Sequence, residues 1–278
     1  MNTKDRKIGN EDREFINALK NERPSIQLQT IRDELRKHSN TITSIIISTI
    51  SRTIRKDLSM TYKKICLYNK NRFTLQNLQY TQQFLNYVFN KDPFRLKFMD
   101  EMGIRLADGQ PTYGHSVRGS KCVEMTRYSR TSNYTVNLLV GIMGVKYVNI
   151  LDGPSDTTKY VDFVGEAANS FTDDGERAIH VGDVLVVDNA PIHHHAAERI
   201  LRNWLPTIGA EYLFLPTYSP DLNTAEQCFR EVKKMLKNDR YRVRLSDNFK
   251  MAVLEAFGEI TISDTLSFFH TTERVHTG

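Results

Sequence analysis

Val181-Gly-Asp-Val-Leu-Val-Val187 is the most continuously apolar strand-like run in the chain, and it ends on Asp188. A run of this kind reads as a strand buried on both faces. In open α/β sheets, functional groups collect beyond the carboxyl ends of such strands. An acid is costly to bury there alone, so Asp188 is either a cap for the segment after Pro191 or one member of a charged site. A second acid, Asp100, ends the alternating stretch Phe94-Arg-Leu-Lys-Phe-Met-Asp100. Glu101 follows at once, and the pleat turns successive side chains to opposite faces, so only one of the two can share a side with Asp188. The alternation Leu96, Phe98, Asp100 favours Asp100.

The third acid is Glu226. Ser219-Pro220 is a helix start signal, and the expected helix runs over 220–238. Leu222, Ala225, Phe229, Val232 and Leu236 give it a buried face. Glu226 lies on the margin of that face, where it is either a solvated helix acid or a carboxylate leaning over the sheet edge. Three like charges on one edge require cations. Carboxylate oxygens suit hard ions, so the expected cofactor is Mg²⁺, with Mn²⁺ able to substitute. Two such ions about 4 Å apart can activate an attacking oxygen and stabilise a leaving one in phosphodiester displacement. The acids alone therefore point to a metal-dependent nuclease or strand-transfer enzyme, with Asp100, Asp188 and Glu226 as catalytic and metal-binding residues.

Neighbouring residues receive supporting roles. Asn189 could bond a metal-bound water or the Asp188 backbone. Of the consecutive His193, His194 and His195, not all can face one ion, and imidazole favours softer ions than Mg²⁺. His193 is the one expected to contact DNA phosphate or orient a carboxylate. Asp221 is an alternative third acid, though a first-turn position suits a dipole-stabilising cap better. Asp173, Asp174 and Glu176 read as a solvated turn, and Trp204 as a core anchor. Cys66, Cys122 and Cys228 lie far apart without a C-x-x-C pair, which argues against a zinc site or a disulfide framework.

The elements that must hold these acids can be read from periodicity. Strands are expected at 94–100, 134–142, 145–151, 181–187 and 212–215, and helices at 157–171 and 194–206. Antiparallel strands followed by alternating strand and helix imply an α/β fold, a mixed sheet flanked by helices. Before them come three short helices, at 11–20, 26–38 and 44–58, with a turn at Ser39-Asn40-Thr41. Residues 1–90 hold 16 Lys+Arg against 8 Asp+Glu, a net of +8, whereas the remainder holds 22 against 25, a net of −3. The third helix carries Ile46, Ile47, Ile50, Ile54 and Leu58 on one side and Ser48, Ser51, Arg52, Arg55 and Lys56 on the other. That is the pattern of a helix-turn-helix whose second face meets double-stranded DNA; its bland counterpart is a helical bundle with a solvated basic face. No apolar run approaches the roughly 20 residues that span a bilayer. The polar start Met1–Lys7 carries no secretory signal. No membrane partner is expected, and the protein is expected in the nucleus if eukaryotic and otherwise in the cytoplasm.

Four segments raise the specificity of this reading. They are Lys97-Phe-Met-Asp-Glu-Met-Gly103, Tyr113-Gly-His-Ser-Val-Arg-Gly119, Val186-Val-Asp-Asn-Ala-Pro-Ile-His-His194 and Leu215-Pro-Thr-Tyr-Ser-Pro-Asp-Leu-Asn-Thr-Ala-Glu226. In this order they resemble the DDE superfamily endonuclease domain of mariner-like transposases, over roughly residues 60–240. The resemblance implies a ribonuclease-H-like core. It places the three metal-binding acids on Asp100, Asp188 and Glu226, with 37 residues between the last two. It also implies joining of a freed 3′ hydroxyl to target DNA, terminal-repeat DNA as partner, and a homodimer. The expected domains are 1–60 helix-turn-helix, 61–93 linker with one helix (Thr74 to Asn90), and 94–278 catalytic.

Two departures stand out. Asn223-Thr224-Ala225 replaces the Asn-Pro-apolar sequence usual in the family. Residues 10–58 supply one helix-turn-helix where two are usual, as expected of a truncated copy. A transposase-derived DNA-binding protein without transposition activity is the alternative function. A ribonuclease-H-like nuclease acting on RNA–DNA hybrids is a third, which the helix-turn-helix disfavours.

Overall fold

The computed structural model describes residues 8–39, 45–65, 67–110, 113–125, 133–172 and 174–274. The expected turn at Ser39-Asn40-Thr41, Cys66 and Asp173 fall wholly or partly outside them. The chain divides into two units, Met1–Tyr68 and Asn69–Gly278.

The first unit is helical. α1 (Asn10–Glu22), α2 (Leu28–His38) and α3 (Ile47–Arg52) enclose Ile16, Ile31, Leu35 and Ile50, all 1% exposed or less. Lys20 Nζ donates to the Pro24 and Ile26 carbonyls and closes the α1–α2 corner. The third helix is shorter than its pattern suggests. Ile46 is its cap and is 64% exposed, so it is not on the buried side. From Thr53 to Asp57 the chain widens into a π turn. There Thr53 is buried, which a strict 3.6-residue period does not anticipate.

The second unit is built on a five-stranded sheet. Its strands are β1 (Leu96–Arg105), β2 (Asn133–Gly141), β3 (Gly144–Asp152), β4 (Val184–Val187) and β5 (Glu211–Phe214), in the order β3-β2-β1-β4-β5. β1 pairs antiparallel with β2 and parallel with β4; β2–β3 is antiparallel and β4–β5 parallel. The β2–β3 hairpin turns at Met143, and Gly144 takes φ +99°, which a side chain rarely adopts.

Even-numbered residues of β1 (Leu96, Phe98, Met102, Ile104) face one apolar layer with Val136, Leu138, Val184 and Val186. Helices α7 (Thr224–Met235), α8 (Asp239–Asp247) and α9 (Phe249–Gly258) cover this side, joined by Phe269 of α10 (Ile262–Arg274). Met99, Leu139, Leu185 and Val187 face the other layer, against α5 (Thr157–Asn169) and α6 (Ala196–Trp204). Trp204 is partly buried at its border.

Asp100 is not the end of its strand. β1 continues to Arg105 because β2 stays paired with it as far as Arg105↔Asn133. β4, by contrast, pairs only with Leu96–Met99. Asp100 therefore lies where β4 parts from β1. β4 itself starts later than its apolar run. Val181 is 74% exposed, and Gly182 turns the chain at φ +88°.

The helix α4 (Leu75–Phe89), expected within a linker, belongs to the sheet unit. Phe84 enters its core, Asn77 Nδ2 donates to the Thr217 carbonyl at 3.1 Å, and Tyr80 Oη donates to Phe214 O at 2.7 Å.

At the end of the sheet opposite Asp100, Asp183 and Lys97 are buried together. Lys97 Nζ lies 3.2 Å from Asp183 Oδ2 and donates to Phe94 O at 2.6 Å. Burial lowers the Lys97 pKa, and the Asp183 charge opposes that. Lys97→Met keeps the apolar stem and removes the closest cation from a buried carboxylate. It is expected to cost about 3 kcal/mol, the usual penalty for stranding one partner of a buried pair. Urea unfolding of the two proteins measures this.

Candidate active site

The register of β1 against β4 sets the site. Met99 pairs with Val187, so the next step along both chains brings Asp100 alongside Asp188. Asp100 is buried, 8% exposed. Its Oδ1 accepts the Glu101 N–H at 2.7 Å, and its Oδ2 accepts Asn223 Nδ2 at 2.9 Å. Burial, followed by the charges of Asp188 and Glu226, pushes its pKa up to about 8. A carboxyl in water titrates near 4; burial is the larger cause of the rise and the like charges beside it add to it.

Asp188 accepts the Ala190 N–H at 3.1 Å, so it does cap the chain after β4. It is also paired, with His193 Nδ1 2.6 Å from its Oδ1. Burial alone would raise its pKa; the hydrogen bond and charge of His193 bring it below the ordinary value. His193 comes from a short 3₁₀ turn, Pro191–His193, and is fully buried. Its ring packs on Tyr160 with centroids 4.2 Å apart, and Nε2 lies 3.2 Å from Glu101 Oε2. Burial disfavours its charge, but hydrogen bonds to Asp188 and Glu101 outweigh that and lift its pKa to about 10. His193 thus orients a carboxylate; being buried, it is out of reach of a DNA phosphate. His194 turns elsewhere, stacking on Phe214 and lying 3.5 Å from Glu198. His195 takes φ +55° before α6. The three rings do not converge.

Glu226 is exposed and sits in the first turn of α7. The helix begins at Thr224, later than Ser219-Pro220 suggests. Pro220–Leu222 makes a separate 3₁₀ turn, Ser219 gives no side-chain cap, and Asn223 caps α7 through the Ala225 N–H at 3.1 Å. Asp221 is paired instead with Arg72, which holds both its oxygens, at 2.5 and 2.8 Å. Asn189 donates its amide to the Leu215 carbonyl, joining the ends of β4 and β5.

Asp188 and Glu226 therefore lie near enough to Asp100 for their charges to add to the rise that burial causes. Among the described residues, no three His, Cys, Asp or Glu side chains are gathered closely enough to hold an ion as they stand. Asp188 is turned towards His193, and Glu226 extends into solvent. The three groups are nevertheless all carboxylates, and Asp100 is raised by burial and then by its negative neighbours, an environment that suits a hard divalent cation. Two residues of the site escaped the sequence reading. Glu101 faces the other side of the sheet from Asp100, yet it reaches His193 from there. Asn223 was visible only as part of a motif.

In the first unit, Ser48, Arg52, Arg55 and Lys56 are exposed and Ser51 is half-buried. Arg55 Nε donates to the Ser51 carbonyl at 3.3 Å.

Comparison with known families matches residues 95–248 to the DDE superfamily endonuclease model, more than half of the chain. The chain belongs to the DDE superfamily endonuclease family. Solved structures share the fold. A pre-cleavage Mos1 transpososome superposes with a TM-score of 0.67 at 17% identity, over 95% of this chain and 77% of that one. The Mos1 strand transfer complex gives 0.67 at 18% identity, over 94% and 75%. The mariner Mos1 paired end complex with Mg gives 0.63 at 17% identity, over 100% and 80%. Curated proteins gave no significant sequence match. The mixed sheet flanked by helices is thus the fold of the Mos1 mariner transposase core. No helix among the described residues is long and apolar enough to cross a membrane.

Thr224, in place of the expected proline of the DDE motif, is the first residue of α7. It is fully buried, and its Oγ1 has no hydrogen-bond partner. The first helical N–H is unsatisfied in any helix, and Asn223 already has the extended backbone that a following proline demands (φ −102°, ψ 109°). Thr224→Pro is expected to stabilise the fold by about 1 kcal/mol by removing a buried unpaired hydroxyl and stiffening the unfolded chain. A rise in the thermal unfolding midpoint checks it.

Proposed function

We propose that this DDE endonuclease cuts DNA phosphodiesters with divalent metal, Mg²⁺ or Mn²⁺, held by Asp100, Asp188 and Glu226. The observation that supports the proposal is the register that brings Asp100 alongside Asp188 where β1 and β4 part, with Asp100 raised by burial and then by the charges of Asp188 and Glu226. Bound ions of this class lower the pKa of an attacking water and stabilise the leaving oxygen. The chain's own residues supply the frame. Asn223 and the Glu101 N–H hold Asp100, and His193 holds Asp188 while sharing its charge with Glu101. The first turn of α7 presents Glu226. Strand transfer is the expected second step, by analogy with the Mos1 strand transfer complex, and it calls for a homodimer acting on paired ends.

Binding of double-stranded DNA is assigned to the first unit. Its third helix, read as the recognition helix of a helix-turn-helix, presents Ser48, Ser51, Arg52, Arg55 and Lys56. The domains proposed are 1–68 for DNA binding and 69–278 for catalysis, which moves α4 from linker to core.

The direct test is cleavage of plasmid DNA with and without Mg²⁺, Mn²⁺ and chelator. Asp188→Asn is expected to lower cleavage by more than about 100-fold while retaining DNA affinity, because one negative charge leaves the metal site without adding repulsion of phosphate. Cleavage at the wild-type rate would make Asp188 merely a cap.

Arg52→Ala with Arg55→Ala is expected to weaken duplex binding and flatten its salt dependence. Each lost phosphate contact takes about 0.9 from the log–log slope. Gel-shift titrations at several salt concentrations measure it, and an unchanged slope would mark the face as solvated only.

A further inference from the structure

We propose that the Asn223 side-chain amide is a positioning group that couples the first acid to the third and sets the affinity of the site for its ion. The inference rests on the metal-dependent reading above and deepens it. Asn223 is 1% exposed, and both ends of its amide are engaged. Oδ1 accepts the Ala225 N–H at 3.1 Å, and Nδ2 donates to Asp100 Oδ2 at 2.9 Å. The two bonds fix the amide's orientation, since only the nitrogen end can donate to a carboxylate. One rigid group therefore ties β1, at the residue where β4 leaves it, to the first turn of α7, which carries Glu226.

The chemistry of this donor is informative. Two other acids of the unit meet cations: Asp183 has Lys97, and Asp221 has Arg72. Those acids are neutralised in place. Asp100 receives a neutral amide and a backbone N–H instead. A carboxylate oxygen has two lone pairs, so one neutral hydrogen bond orients it and leaves a second lone pair for a metal. Among the described residues no cation is paired with Asp100, so the carboxyl stays open to an ion. Groups that hold a metal ligand in this way typically change metal affinity 10–100-fold when removed.

Capping and positioning can be separated, because Ser and Thr cap helices as well as Asn does or nearly so, but neither carries an amide donor. The experiment titrates Mn²⁺ into the full 278-residue protein and follows free Mn²⁺ by electron paramagnetic resonance, with thermal unfolding measured in parallel without metal. Asn223→Ser is expected to keep the wild-type unfolding midpoint within a few degrees and to weaken Mn²⁺ binding by about 10-fold or more. Asn223→Thr repeats the test should the Ser variant fold poorly. Asn223→Ala is expected to lose both the cap and the affinity. Wild-type Mn²⁺ affinity in a folded Ser or Thr variant would overturn the proposal and leave the metal reading intact. No Mn²⁺ binding by the wild-type protein would overturn both.

Discussion

Asp100 lies almost wholly out of solvent, and the charges that bear on it most, Asp188 and Glu226, are negative. That crowding is the constraint on which the rest of the structure turns. A sheet that merely needed stability would place an apolar residue here, as it does at Phe98 and Met102 on the same face. Instead, two parallel strands deliver an aspartate each at the point where they part, and a helix adds a glutamate. On the proposed reading, a divalent cation would offset the like charge that Asp188 and Glu226 bring to Asp100.

The surrounding residues hold the acids without discharging them. His193 gives one positive charge to two carboxylates, Asp188 and Glu101, which lie in different parts of the fold. It is anchored by packing on Tyr160, whose hydroxyl meets that of Tyr212, and Tyr212 in turn donates to the His193 carbonyl. This chain of buried polar groups ties the second acid to the α5 side of the sheet, while Asn223 ties the first acid to the α7 side. The site is thus braced from both layers.

Much of this was legible in the sequence, for physical reasons that differ from residue to residue. Asp188 stood out because a run buried on both faces is conspicuous. The alternation through Leu96 and Phe98 correctly put Asp100 on the α7 face, with Glu101 opposite. The end of β1 was not legible, because it is set by the length of its partner β2 and not by its own pattern. The start of α7 was misread because Ser219-Pro220 and Asn223 both open helical turns, and only the tertiary bond from Asn223 to Asp100 decides between them. The same limit hid the role of Arg72, whose partner Asp221 lies 149 residues away, and with it the membership of α4 in the core. Helices α8 to α10 were not legible: charged residues such as Arg240, Arg242 and Arg244 interrupt the apolar period of α8, although Asn238 stands at its start.

On the proposed reading, burial and like charge disfavour the Asp100 carboxylate until a divalent cation joins the acids. Thermal unfolding of the wild-type protein and Asp100→Asn, each with and without Mn²⁺, tests it most directly, since a ligand of the folded state raises its stability by mass action. The account predicts that Mn²⁺ raises the wild-type midpoint. It also predicts that Asp100→Asn, which removes one of the crowded charges, is more stable than wild type without metal and responds little to Mn²⁺. A wild-type midpoint indifferent to Mn²⁺, together with an Asp100→Asn protein no more stable than wild type, would contradict it.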